Sequence, residues 1–238
     1  MANKDKDWTG NSKSNWTMLG ASNHSELERQ HEDFYATHPI AMEKLLEREQ
    51  FSDVVWEPAV GQGHLADVLK NHGYDVIVSD VVNRGYPGTI VQSFFDSTKQ
   101  CRGGGIVDQS KRIDIITNPP YKFAQEFVEH ALDVSTGGTK IAMFLKIQFL
   151  EGASRYELFK KNPPRVIYVF SRRVMCAKNG RFDDYDSSAM AYAWFVWEKG
   201  FCGDPVIKWI GDLDSCSRFS LIKDTACDDQ KKKRKELW

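Results

Sequence analysis

Cysteine is sparse in this chain and poorly placed for cross-linking. Cys101, Cys176, Cys202, Cys216 and Cys227 form an odd set with no C-x-x-C pair, which argues against both a disulfide framework and a zinc ribbon. Long apolar runs are missing too. The longest, Ala189 to Trp197, has nine residues, whereas a membrane helix needs roughly 20. No apolar signal segment marks the polar N-terminal stretch. Nor is one charge in excess: 32 Lys and Arg stand against 33 Asp and Glu, for a net charge of -1. That excludes a histone-like polycation but allows a local basic face. These absences set the expectation of a reduced, cytoplasmic protein with no metal centre.

What is present suffices for a core. The chain has 238 residues, 41% of them apolar and 27% charged, in keeping with one domain of moderate size. Residues 1–25 are rich in Asn, Ser, Lys and Asp and cannot bury enough apolar area to order themselves, so a polar tail is expected there. Residues 213–238 are expected to form a second, charged tail; its Lys231-Lys232-Lys233-Arg234-Lys235 run suits either solvation or phosphate contact. The domain is expected over residues 26–212.

Within that span strand and helix patterns alternate. Val54–Trp56, Tyr74–Val78, Thr89–Val91, Ile113–Ile116, Ile141–Leu145, Val166–Phe170 and Met190–Trp197 read as strands. Leu65, Val68 and Leu69 fall at helical spacing before His72-Gly73, and Phe123, Phe127, Val128 and Ala131 mark a second helix. Tyr156–Lys160 fits a short third one, stopped by Pro163-Pro164. Nearly continuous apolar strands in a β-α-β-α order predict a doubly wound α/β domain. Its seven-stranded, mainly parallel sheet is closed by a C-terminal β-hairpin. Ligands of such sheets sit beyond the carboxyl ends of the strands.

Three segments fall at those ends. Glu57-Pro58-Ala59-Val60-Gly61-Gln62-Gly63 joins the first strand to the first helix. Its two glycines permit a tight turn and close approach of a ligand, but the third glycine of the dinucleotide fingerprint is missing. An acidic residue there suits a ligand bearing an ammonium group. Asp80 ends the next strand, where a carboxylate can accept from two ribose hydroxyls or simply cap a turn. Asn118-Pro119-Pro120-Tyr121 ends the fourth. Two prolines stiffen the backbone and remove two donors, so a rigid amide oxygen and a neighbouring carbonyl can accept from a planar NH₂ group. The Tyr ring can stack on the plane that carries it.

Glu-Pro-Ala-x-Gly-x-Gly, a strand-end Asp and Asn-Pro-Pro-Tyr, in this order, resemble class I S-adenosylmethionine-dependent methyltransferases that methylate amines. More narrowly, the chain is similar to the small adenine-specific DNA methyltransferases of bacteriophages and prophages. The likeness extends over Asn15–Ser25, Asp33–Pro39, Phe149–Gly152 and Tyr192–Glu198. It implies the Rossmann-like methyltransferase fold and S-adenosylmethionine as cofactor. By this resemblance Tyr35 and Thr37 contact the methionine carboxylate end, and Glu57 lies near the cofactor's amino group. Pro58, Ala59, Gly61 and Gly63 shape the pocket. Asp80 holds the ribose and Val81 packs on the cofactor adenine, with Phe95 and Asp96 closing the other side. Asn118 and the Pro119 carbonyl grip the exocyclic amine of a target adenine in DNA; Pro120 stiffens the turn and Tyr121 stacks on the base.

The family's sizeable target-recognition domain has no counterpart in this length. Residues 146–181 instead hold nine basic residues and two acidic ones, a candidate nucleic-acid surface. Lys146, Arg172, Arg173 and Lys178 are its expected phosphate contacts, on double-stranded DNA with the target adenine flipped out. RNA adenine and a protein glutamine amide present the same planar amine, so both stay open as substrates. So does a regulator that binds cofactor or DNA without catalysis.

Overall fold

The β-branched and aromatic runs of the chain form strands whose two faces carry different partners. The computed structural model describes residues 35–98, 101–102, 105–106, 112–178 and 190–211. Both expected tails and most of the Ala177–Ser188 loop lie outside the described residues. In chain order the elements are β1 (Tyr35–Thr37), α1 (Ile40–Leu46), β2 (Val54–Glu57), α2 (His64–Asn71), β3 (Asp75–Asp80), β4 (Ile90–Val91), β5 (Cys101–Arg102), β6 (Gly105–Ile106) and β7 (Ile113–Thr117). Then follow α3 (Ala124–Val134), β8 (Lys140–Lys146), α4 (Ala153–Lys161), β9 (Val166–Phe170), β10 (Cys176–Lys178), β11 (Tyr192–Glu198) and β12 (Val206–Ile210).

Eight strands form the main sheet in the order β12-β9-β11-β8-β7-β2-β3-β4. All neighbours are parallel except β11, which runs antiparallel to both β8 and β9. Successive residues of the central strands serve opposite cores, as the two-residue period of a strand requires. Ala142 and Phe144 of β8 face α1 and α2 together with Tyr192, Trp194 and Val196 of β11. Ile141, Met143 and Leu145 face α3 with Ala193, Phe195 and Trp197. Each buried indole finds an acceptor, as burial of its N–H demands: Trp56 donates to Ser79 Oγ, Trp194 to the Ala41 carbonyl and Trp197 to that of Asn162. Among the described residues no helix is long and apolar enough to cross a membrane.

The doubly wound α/β expectation holds, with one more strand than the seven expected. The eighth, β12, is an edge strand with Val206, Ile207 and Trp209 exposed. Backbone pairing with β9 holds it in the sheet, so its sequence carries no alternation to read. The expected hairpin is the antiparallel β9–β11 pair; residues 171–191, with β10 among them, connect it in place of a tight turn. Beyond the main sheet, β1 pairs with β10 in a two-stranded ribbon, and β5 with β6.

The chain leaves β2 toward β3 and β4 on one side, then returns through β7 to β8 on the other. The switch point between β2 and β7 is where a ligand crevice opens in an open α/β sheet. Glu57 and Asn118 stand at its two sides.

Candidate active site

At the end of β2 the chain turns through Pro58–Gly63 into α2. Gly61 and Gly63 have φ of 57° and 87°, the left-handed region that favours glycine. A Cβ on Gly63 would overlap the Tyr86 ring. Tyr86 is held there by its hydroxyl, which donates to Asp67 Oδ1 and accepts from Lys70 Nζ.

Glu57 is buried, and its Oε2 has no hydrogen-bond partner among the described residues. Burial pushes its carboxyl well above the usual range; Asp80 adds to the rise, and a hydrogen bond from the Ala66 backbone opposes it. Asp80 itself ties the two loops together: Oδ2 accepts from Gly61 N–H at 2.8 Å and Oδ1 from Val82 N–H at 3.0 Å. One lone pair on each oxygen stays unused by these bonds.

At the end of β7, Asn118 faces the ribbon. Its Nδ2 donates to the Tyr35 carbonyl at 2.9 Å and to Thr37 Oγ1 at 2.8 Å, and its Oδ1 is buried without a partner among the described residues. A carboxamide with both donors committed and its acceptor open is what capture of an amine N–H requires. Pro120 holds φ at -55° and ψ at 125°, after which Tyr121–Phe123 makes one 3-10 turn into α3.

Tyr121 sits deeper than a simple stacking platform. Its ring packs between Tyr35 and Tyr192 at centroid distances of 5.6 and 5.8 Å, and its hydroxyl donates to Tyr192 at 2.9 Å. Burial raises its pKa well above the ordinary value. Lys146 Nζ lies 4.4 Å from the ring centroid. Cys176 pairs with Thr37 across the ribbon; burial pushes its thiol up to about 11, with Tyr121, Tyr192 and Thr37 opposing the rise.

On the other side of the crevice, the Phe94–Asp96 turn is anchored by Phe94, which is buried against Trp56 and Phe127. That leaves Phe95 40% exposed beside Phe123, and Asp96 exposed. Val81, past the end of β3, is 67% exposed. These apolar side chains form a rim able to flank a flat ring.

The structure thus gathers Tyr35, Thr37, Asn118, Pro119, Pro120 and Tyr121 on one side of the switch point. Glu57, Pro58, Ala59, Gly61, Gly63, Asp80 and Val81 lie on the other. The basic stretch divides. Lys146 ends β8, Arg172 and Arg173 follow β9, and Lys178 pairs with Tyr35 through its backbone; all four positions lie at the carboxyl edge. Arg165 lies at the opposite edge, bonded to Glu49 and Glu198, and Lys160 and Lys161 end α4 beside it. Those three serve the scaffold's far side, which spacing alone did not separate. Among the described residues no group of three His, Cys, Asp or Glu gathers to hold a metal. Sequence reasoning missed Tyr86, Phe123, Tyr192 and Cys176. Phe123 follows the tetrapeptide closely enough to have been found, whereas the others join the site through tertiary contacts alone.

No protein-family model matches the sequence, and no curated protein matches it. Solved structures do. A chain from Agrobacterium tumefaciens described as an O-methyltransferase matches with a TM-score of 0.52 at 12% identity, over 73% of this chain and 86% of that one. A modification subunit described for a type I restriction enzyme of Vibrio vulnificus YJ016 matches with a TM-score of 0.51 at 14% identity. That match covers 95% of this chain and 57% of the other, so this chain spans little more than half of the subunit. A Lactococcus lactis protein described as a hemolysin scores 0.51 at 10% identity, over 71% and 91%. At these identities the likeness is one of fold. This chain has the Rossmann-like α/β fold found in methyltransferases, with a mixed eight-stranded sheet and helices on both faces.

Proposed function

We propose that the protein transfers a methyl group from S-adenosylmethionine to the exocyclic amine of adenine in DNA. The observation that carries this reading is the Asn118 carboxamide, anchored by two donor bonds with its buried oxygen left open at the strand end.

The residues present fit the cofactor. Glu57 Oε2 is a buried acceptor without a donor among the described residues, and an ammonium group beside it would supply a partner and favour the charged carboxylate. When bound, S-adenosylmethionine supplies a methyl group made electrophilic by its sulfonium. Tyr35, Pro58, Ala59, Gly61 and Gly63 would line its pocket, Asp80 would accept from the ribose, and Val81, Phe95 and Asp96 would border the adenine.

Chemistry at the amine then falls to Asn118 Oδ1 and the Pro119 carbonyl. Each accepts one N–H of the target, which turns the nitrogen lone pair toward the methyl carbon. As the N–C bond forms, the methyl carbon's bond to the sulfonium would break with its electron pair returning to sulfur. Positive charge passes to nitrogen, and two fixed acceptors stabilise it without reorganising. One N–H proton is afterwards lost to solvent. Glu57 and Asp80 hold the cofactor and do not act as bases. A base in a duplex cannot reach the crevice, so the adenine must flip out, with Lys146, Arg172, Arg173 and Lys178 meeting the flanking phosphates. That basic edge, together with the likeness to a restriction-system modification subunit, supports DNA as the substrate.

The test is transfer of labelled methyl to duplex DNA, RNA and protein in parallel, followed by digestion to the modified unit. N6-methyladenine from DNA is expected. Label recovered in RNA adenine or in glutamine moves the substrate; no label in any of them removes the reading.

A further inference from the structure

An asparagine amide works as an amine acceptor only if oxygen, not nitrogen, faces the substrate, and a 180° flip exchanges them. The Tyr35 carbonyl, 2.9 Å from Asn118 Nδ2, can only accept, so it selects the orientation with nitrogen toward the ribbon. A hydroxyl such as that of Thr37 can play either part. Thr37 and Cys176 are paired across the ribbon. With the amide nitrogen held toward the ribbon by the Tyr35 carbonyl, Thr37 Oγ1 is the acceptor for the second N–H, at 2.8 Å from Asn118 Nδ2. Thr37 is 3% exposed, and its hydroxyl is engaged by the Asn118 amide.

We infer that Thr37 is a positioning residue: it acts through Asn118, holding the carboxamide oxygen toward the target amine, and makes no contact with the cofactor's carboxylate. This rests on the methyltransferase reading given above, and it departs from the role that the family resemblance gives Thr37. The Tyr35 carbonyl and the Thr37 hydroxyl together commit both N–H groups of the amide. With Thr37 removed, one donor loses its partner and the flipped amide becomes accessible.

Three variants separate the possibilities. Thr37→Val keeps shape and β-branching but removes the hydroxyl; Thr37→Ser keeps the hydroxyl; Thr37→Ala is the second deletion, should valine prevent folding. Single-turnover methyl transfer at saturating cofactor is expected to slow about tenfold in Val or Ala, the value of roughly one well-placed hydrogen bond. It should return to within about twofold of the parent in Ser. Calorimetric affinity for S-adenosylhomocysteine should stay within about twofold throughout, since no contact to the cofactor is removed. Hydrogen exchange of the Asn118 side-chain NH₂, read by ¹⁵N NMR in the free protein, should accelerate in Val and Ala and not in Ser.

Parental transfer rates in Val or Ala would overturn the positioning role. So would a tenfold loss of cofactor affinity with transfer at saturation intact, which would make Thr37 a cofactor contact. The exchange measurement needs no substrate. A parental chain that methylates nothing therefore overturns the proposed function, whereas unmoved Asn118 exchange overturns the role of Thr37.

Discussion

Lys146 Nζ sits 4.4 Å from the centroid of the Tyr121 ring, at the end of β8 where the basic edge meets the Asn118 tetrapeptide. A cation over a ring face is attracted by about 0.5–1 kcal/mol at a partly exposed site. A target base stacked on the same ring, as proposed, would contribute roughly 1–3 kcal/mol, enough to displace the ammonium toward a phosphate. Lys146→Ala should therefore lower the slope of log affinity for DNA against log salt by about 1. The melting temperature should barely move. Salt titrations of parent and variant, at fixed DNA length, measure it; an unchanged slope places Lys146 outside the DNA contact.

Removing Asn118 should separate binding from chemistry. Asn118→Ala is expected to slow single-turnover methylation on the order of 10²–10³-fold, the cost of one preorganised polar group, with cofactor affinity nearly intact. Asn118→Asp sets a carboxylate oxygen against the Tyr35 carbonyl, now 2.9 Å from an amide nitrogen, and it should fall at least as far as the alanine variant. An alanine variant working at the parental rate would put the reacting centre elsewhere.

For Asp80 the expected loss is double. Asp80→Ala deprives Gly61 N–H and Val82 N–H of their acceptor, costing about 1–3 kcal/mol of stability. It also removes the acceptor proposed for the ribose. S-adenosylhomocysteine should raise the parental melting temperature through preferential binding to the folded state, and raise that of the variant less. Equal shifts in both proteins would exclude Asp80 from the cofactor site.

Gly63→Ala should destabilise for two reasons that can be told apart. Its φ of 87° is strained for alanine, at about 1–3 kcal/mol, and the new methyl would strike Tyr86. In a Tyr86→Ala background the clash vanishes and only the strain remains. A double-mutant cycle by urea denaturation reads the difference; purely additive losses would mean the Tyr86 ring moves freely away.

On the far side of the sheet, buried Glu49 accepts from Tyr168 and Lys140 and pairs with Arg165. Burial alone would raise its carboxyl, but these three partners together hold it below the usual range. A carboxylate with a depressed folded-state pKa stabilises above its unfolded value, and that stability goes as pH falls through the folded value. Unfolding free energy should thus drop as pH falls from about 4.5 downward. In Glu49→Gln that part of the slope should flatten. An identical acid slope in the variant would assign the effect to other carboxylates.

The strands of the main sheet were legible because both of their faces are buried. Ile141–Leu145 and Met190–Trp197 are apolar without interruption, which no surface element sustains. Ile113–Ile116 is broken only by Asp114, whose buried carboxylate accepts from the Ser52 and Lys140 backbone N–H groups. The edge strand β12 was not, because only Ile210 of its five residues is buried. At the site, Glu57, Asp80 and Asn118 could be found since each ends a strand, a position that sequence marks. The Asn118 partners Tyr35 and Thr37 entered only through the family resemblance, and there as cofactor contacts; β1 and β10 are three-residue strands that leave no periodicity to place them beside Asn118. The basic stretch was legible as composition only. Which lysines and arginines faced the crevice depended on strand direction, and Arg165 fell at the wrong end of β9.

The ribbon of β1 and β10 also sets an order of events. It joins the beginning of the described chain to a segment that follows five of the main sheet's strands and its sixth, β9. During synthesis the Glu57 loop, Asp80 and the Asn118 tetrapeptide all leave the ribosome before Cys176 does. Chains fold as they emerge, N-terminal parts first, and contacts between distant segments close late. A nascent chain can therefore assemble the cofactor side of the crevice while Asn118 still lacks the brace that aims it. On the proposed reading, competence for chemistry arrives only when the two strands of the ribbon meet, so a chain cut short before Cys176 carries no aimed carboxamide.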